Sequence, residues 1–117
     1  MDAFTRAYIE AALWSSMDDA DDRGGKPLDA NYSRSDIAPD TMVKIVADCR
    51  AFQRHNAADI GPEFERAGHD FWLTRNHHGA GFWDGDWPHE VGERLTAASH
   101  AAGEFELYVG DDGLLHG

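Results

Sequence analysis

The sequence is poor in cysteine and has no long apolar run. The single cysteine, Cys49, excludes an internal disulfide and any zinc finger built on cysteines. No run of about 18 consecutive apolar residues is present, so we expect no membrane span and no membrane partner. The first residues lack a basic region ahead of an apolar stretch, which argues against a secretory signal. These features predict a cytoplasmic protein.

Basic residues are also scarce. The chain has 10 Lys and Arg against 22 Asp and Glu, which gives a formal net charge of −12. Direct binding of nucleic acid is not expected, because phosphate groups are neutralised by clustered Lys and Arg. The same charge suits a protein partner that has a basic surface.

Apolar and aromatic residues are plentiful by comparison. Hydrophobic residues make up 42% of the 117 positions and include six Phe, four Trp and three Tyr, enough for one packed core. We therefore predict a single domain over residues 1–117 that is a monomer or a weak homo-oligomer.

Three segments have the spacing of amphipathic helices. The first is predicted over 3–17, with Asp2 as its N-cap. The second is predicted over 39–58, with a proline in its first turn, and the third over 88–102, ending at Gly103. The clearest apolar stripe, on the second helix, consists of Met42, Ile45, Val46, Cys49 and Phe52.

Two other segments favour β-structure. Residues 69–83 are rich in aromatic and β-favouring side chains around a Gly-rich turn and predict a hairpin. Residues 104–109 alternate between apolar and polar, and 114–115 follow them after a tight turn. Together with the helices, this order predicts an α+β fold, a small antiparallel sheet of three to four strands with three helices packed on it.

Residues 18–38 form a long polar stretch between the first two helices. Gly, Pro and six Asp residues predict a loop here. We expect Leu28, Tyr32 and Ile37 to attach this loop to the core.

The segment 69–89 has the highest density of His, Asp and Trp residues. His and Asp side chains are ligands for transition metals and also serve as acid–base pairs. The spacing matches no metal motif, so the alternative is a polar hairpin turn in which Asp84 and Asp86 cap the helix starting near 88. The candidate metal ligands are His77, His78, Asp84, Asp86 and His89. No cofactor is predicted.

A calcium loop is matched only in part. Counting from Asp29, the oxygen-bearing residues Asn31, Ser33 and Asp40 occupy three ligand positions, but Arg34 stands where an EF-hand requires Gly. The alternative is a series of Asx turns before the second helix.

Acidic residues concentrate in two places, the 18–22 run and the C-terminal segment. They form either a solvated surface or a negative face that imitates the phosphates of a nucleic acid and occupies a basic groove. Aromatic side chains expected to be exposed near them, Trp72 among them, would supply anchors for such an interface. The candidate partner-binding residues are Asp18, Asp19, Asp21, Asp22, Trp83, Trp87, Glu104, Glu106, Tyr108, Asp111 and Asp112.

Three sequence segments resemble a family of small uncharacterised proteins of bacteriophages and mobile elements. They are HDFWLTRN at 69–76, GAGFWD at 79–84 and LYVGDDG at 107–113. No activity of that family transfers to individual residues. The resemblance implies an accessory protein in the cytoplasm of a bacterial host, and small acidic proteins of that setting include anti-CRISPR and anti-restriction inhibitors.

These observations favour a non-enzymatic protein that binds and inhibits a basic, nucleic-acid-handling host protein. One alternative is a small metal-binding or metal-dependent enzyme domain centred on 69–89. A second alternative is a structural or assembly component of a phage.

Overall fold

The computed structural model describes residues 1–18 and 25–117, which form four α-helices and two small antiparallel sheets of two strands each. The helices are α1 (Ala3–Ser15), α2 (Pro39–Ile60), α3 (Phe64–Arg75) and α4 (His89–Ala102). The strands are β1 (Met17–Asp18), β2 (Lys26–Pro27), β3 (Tyr108–Val109) and β4 (Leu115–His116), with β1 paired to β2 and β3 to β4. The α+β class is confirmed, but the prediction of one sheet of three to four strands with three helices is wrong.

The predicted helix ends are largely confirmed. The Asp2 carboxylate accepts a hydrogen bond of 2.8 Å from the Thr5 amide and so caps α1. Burial acts to raise the pKa of Asp2, but the hydrogen bonds from Thr5 and Gln53 keep it below its usual value. Pro39 is the first residue of α2, and Gly103, at a φ of 79°, follows the end of α4.

The predicted hairpin over 69–83 is wrong, because its first half belongs to α3. This helix begins at Phe64 and continues through Gly68. A Cβ at Gly68 would collide with the backbone oxygen of Phe4, so glycine is what allows α1 and α3 to approach closely. The five residues from Phe71 to Arg75 are all buried, and a helix that is buried all round has no polar face for periodicity to reveal.

Aromatic rings fill the core between α1, α2 and α3. Phe52 of α2 stacks on Phe71 at 4.0 Å between ring centroids and lies 5.9 Å from Phe82. Cys49, one turn before Phe52, is fully buried as predicted, and burial raises the pKa of its thiol to about 12. Its role is therefore packing rather than reactivity.

The loop anchors behave as predicted. Leu28 and Ile37 are buried, and Tyr32 packs partly buried against the same core. The Ala38 amide donates to the Leu115 carbonyl at 2.8 Å, so β4 is joined to the residues just before α2.

Arg75 connects all four helices. Its guanidinium is only 3% exposed and donates to Tyr8 Oη at 3.0 Å and to Asp48 Oδ2 at 2.9 Å. It also donates to the carbonyls of Ala102 and Gly103, which are orphan acceptors at the end of α4. This network fixes the point from which the C-terminal segment leaves α4.

Burial alternates along the C-terminal segment 104–109 as predicted, but only Tyr108 and Val109 form a strand. Leu107 is buried whereas Glu104, Glu106 and Tyr108 are exposed, and only β3 pairs with another strand. The turn over 111–113 is confirmed, with Gly113 at a φ of 79°. Within the described residues, no helix combines the length and the apolar character needed to cross a membrane.

Candidate partner-binding cleft

An acidic cleft of about 510 Å³ lies between the end of α1, β1 and the segment that leads into β3. Among the described residues, three carboxylates line it, those of Asp18, Glu104 and Glu106. Three aromatic side chains share the lining, those of Trp72, Phe105 and Tyr108. We refer to this site as the acidic cleft.

The inner wall of the acidic cleft is held in place by α3. The Trp72 indole donates to Ser15 Oγ at 2.7 Å, and its ring meets Phe105 edge-on at 6.1 Å. One turn later, Asn76 accepts a hydrogen bond of 2.9 Å from the Phe105 amide. The side chains of α3 therefore set the path of the C-terminal segment along the cleft.

The lining of the acidic cleft is negative. None of the described residues that line it is Lys or Arg, and the only cationic candidate among them is His78. The Glu104 side chain is 73% exposed and lies 3.8 Å from His77 Nε2. At this exposure the carboxylate stays available for a charged ligand.

The β3–β4 hairpin extends the negative surface beyond the cleft. Hydrogen bonds from the Leu114 amide and the His116 imidazole lower the pKa of Asp112, so this carboxyl is ionised at neutral pH. Tyr108 stacks on His116 at 6.0 Å and remains 53% exposed.

Four of the predicted partner-binding residues meet at the acidic cleft: Asp18, Glu104, Glu106 and Tyr108. Asp111 and Asp112 are exposed on the neighbouring hairpin. The predicted residues Asp19, Asp21 and Asp22 lie outside the described part of the chain.

Four aromatic side chains were expected to be exposed, and the structure confirms two of them and contradicts the other two. Tyr108 and Trp83 are exposed, the latter at 56%, but Trp83 lines a different cavity beside α4. Trp72 and Trp87 are buried because each indole N–H has a partner inside the fold. For Trp87 that partner is Asp70, at 2.8 Å.

The candidate metal ligands do not form a cluster. Across residues 1–18 and 25–117 there is no group of three or more His, Cys, Asp or Glu side chains that could hold a metal ion. His77, with a φ of 58°, stacks on His100 at 4.6 Å, while His78 lines the acidic cleft.

The remaining metal candidates are Asp84, Asp86 and His89. Asp84 accepts a long hydrogen bond of 3.3 Å from the Gly81 amide, and Asp86 lines a second cleft. His89 lies 3.1 Å from Glu93, one turn further along α4. The N-cap of α4 is Pro88 and no side chain caps it, so the prediction that Asp84 and Asp86 cap this helix is wrong.

The partial calcium loop is a structural turn. Asp36 accepts a hydrogen bond of 2.8 Å from the Ser33 amide, which closes a capping box around a short 3₁₀ turn. This arrangement matches the alternative of local turns before α2.

Asn76 is a site residue that sequence reasoning missed, and Trp72 was expected as an exposed anchor rather than as part of the cleft wall. The strand prediction placed them in a hairpin, with Trp72 exposed. With 64–75 as a helix, the two residues are four positions apart on one face and Asn76 donates back to the Trp72 carbonyl at 3.0 Å. The sequence carried no periodic signal for this helix, because its buried C-terminal half has no polar face.

Comparison with protein-family models, with curated proteins and with solved structures finds no match for this chain, so the resemblance to phage proteins stays a prediction.

Proposed function

We propose that the protein binds a basic protein partner through the acidic cleft and the adjoining β3–β4 hairpin. The observation that carries the proposal is the meeting of Asp18 with Glu104 and Glu106 around a half-exposed Tyr108. Asp18 is far from Glu104 and Glu106 in the sequence, and the fold brings the three residues together in one cleft lining.

Charge and aromatic surface have different parts in such an interface. Exposed carboxylates attract and orient a cationic partner, and they raise the association rate more than the final affinity. Aromatic side chains provide the desolvated contacts that hold a complex together. Tyr108 is positioned for this part because its ring is exposed beside the carboxylates.

The class of partner follows from the charge and the resemblance together. The net charge is −12, and no described residue that lines the cleft is Lys or Arg. Such a surface is complementary to a basic groove that normally holds nucleic acid. The expected resemblance to phage and mobile-element proteins favours a bacterial host as the setting of that partner. In this proposal the protein occupies the groove in place of nucleic acid and so inhibits the host protein.

Charge removal at the cleft tests the proposal. Wild-type protein is immobilised and exposed to bacterial lysate at low salt, next to the variant Asp18→Asn, Glu104→Gln, Glu106→Gln. We expect the wild type to retain basic nucleic-acid-binding proteins and the variant to retain roughly tenfold less of them, because the local charge is lost.

A matched variant separates local charge from total charge. Asp29→Asn, Glu63→Gln, Glu90→Gln removes the same number of carboxylates, all from exposed residues that do not line the cleft. This control is expected to retain the same proteins as the wild type. Equal retention by the cleft variant and the wild type would rule out the acidic cleft as the binding surface.

A further inference from the structure

A second cleft, of about 660 Å³, lies between α1, α3 and the loop that contains Asp84 and Asp86. Its lining includes His69, together with Trp14 and Asp70. Charged side chains surround this group, from Arg6, Glu10, Glu65, Arg66, Asp84 and Asp86. We refer to this site as the His69 cleft, and the proposed partner binding makes no use of it.

A relay of hydrogen bonds fixes the His69 ring. The Trp87 indole donates to Asp70 Oδ2 at 2.8 Å, and Asp70 Oδ1 lies 3.0 Å from His69 Nδ1. Asp70 is only 4% exposed, and an ionised carboxylate is an acceptor only. When Asp70 is ionised and the His69 ring is neutral, Nδ1 carries the proton of this hydrogen bond and the lone pair lies on Nε2.

The Nε2 atom of His69 is free to act. It makes no hydrogen bond with any residue of the described chain, and the side chain is 43% exposed. Trp14 packs against the ring at 5.7 Å and limits its rotation. A histidine with an ordered ring, a buried carboxylate behind Nδ1 and an open Nε2 has the geometry of a general base.

The charged groups around His69 limit which substrates can bind in the cleft. Carboxylates outnumber guanidinium groups, so polyanionic substrates such as nucleic acids are disfavoured. The Arg66 guanidinium forms no ion pair within the described residues and is available to stabilise an oxyanion. No Ser, Thr or Cys is among the described lining residues, so the nucleophile is water rather than a side chain.

We propose that His69 is the general base of a hydrolytic site for carboxylic esters that carry no negative charge. Nε2 takes a proton from water while the water oxygen attacks the carbonyl carbon, and the resulting oxyanion is stabilised by Arg66. The tetrahedral adduct then breaks its bond to the alkoxy oxygen, which receives the proton from Nε2. The products are one carboxylic acid and one alcohol, and no oxidant, reductant or metal enters the balance.

Hydrolysis of p-nitrophenyl acetate tests this inference directly. The rate is measured for the wild type, for His69→Gln and for His55→Gln, which removes an exposed histidine remote from the cleft. We expect kcat/KM to fall at least about tenfold in His69→Gln and to be unchanged in His55→Gln, because general-base catalysis commonly contributes that much or more. Equal rates for the wild type and His69→Gln would overturn the proposal.

The relay is tested by Trp87→Phe, which keeps the aromatic packing but removes the donor to Asp70. Trp87 is a positioning residue, so this variant is expected to lower kcat while its rate still rises with pH as in the wild type. The rising limb is expected to disappear in His69→Gln. A Trp87→Phe enzyme with wild-type kcat would show that the relay has no part in the reaction, and thermal unfolding of each variant confirms that it is folded.

Discussion

Arg75 is the side chain on which a buried hydrogen-bond network between the helices depends. It joins α1 through Tyr8, α2 through Asp48 and the end of α4 through two carbonyls. It also lies over the ring of Phe71 at 5.0 Å. Burial raises the pKa of Tyr8, so its hydroxyl keeps its proton and accepts from Arg75 as a neutral group.

Replacement of Arg75 is expected to be costly. Arg75→Met fills a similar volume but leaves the Tyr8 hydroxyl and the carbonyls of Ala102 and Gly103 without their donor. We expect the free energy of unfolding to fall by about 3 kcal/mol, the lower end of the range for breaking a buried pair, because Asp48 remains partly exposed. Urea denaturation measures the loss.

Arg50→Met is the matched control, since Arg50 is exposed on α2. Its free energy of unfolding is expected to stay within about 0.5 kcal/mol of the wild type. If the two variants were equally stable, the buried network around Arg75 would have no net effect on folding.

At the scale of the elements, helix α3 shows where sequence patterns stop being informative. Helices α2 and α4 each have one buried and one exposed face, and the apolar stripes predicted them to within two residues at each end. Helix α3 packs against α1 and α4 and is covered at its C-terminal half. Because this half has no polar face, the sequence shows no helical periodicity there. Its aromatic and β-favouring composition then predicts a strand.

The contact of α1 with α3 gives a prediction for Gly68. Alanine normally stabilises a helix by about 1 kcal/mol over glycine. At this position the added Cβ meets the Phe4 backbone oxygen, so the helices must separate and Gly68→Ala is expected to lower the free energy of unfolding by about 2 kcal/mol.

Gly79→Ala is the comparison, because a Cβ there has no heavy atom within 4 Å. Thermal unfolding is expected to leave this variant close to the wild type while Gly68→Ala melts at lower temperature. A Gly68→Ala variant more stable than the wild type would contradict the close helix contact.

At the scale of the whole molecule, composition predicted a negative surface but not its arrangement. Glu104, Glu106 and Tyr108 followed from the alternation of 104–109, which the burial pattern confirms. Their meeting with Asp18 was not predictable from local pattern, because it depends on β1 lying beside β3 and on α3 holding the C-terminal segment. The His69–Asp70–Trp87 relay was hidden for the same reason, since its last member belongs to a different part of the chain.

The salt dependence of binding tests the central claim most directly. The dissociation constant for the captured basic partner is measured between about 50 mM and about 500 mM salt, for the wild type and for the Asp18→Asn, Glu104→Gln, Glu106→Gln variant. We predict that the wild-type dissociation constant rises steeply with salt and that the variant has a higher constant with a shallower slope. A wild-type constant that does not change with salt would contradict binding through the acidic cleft.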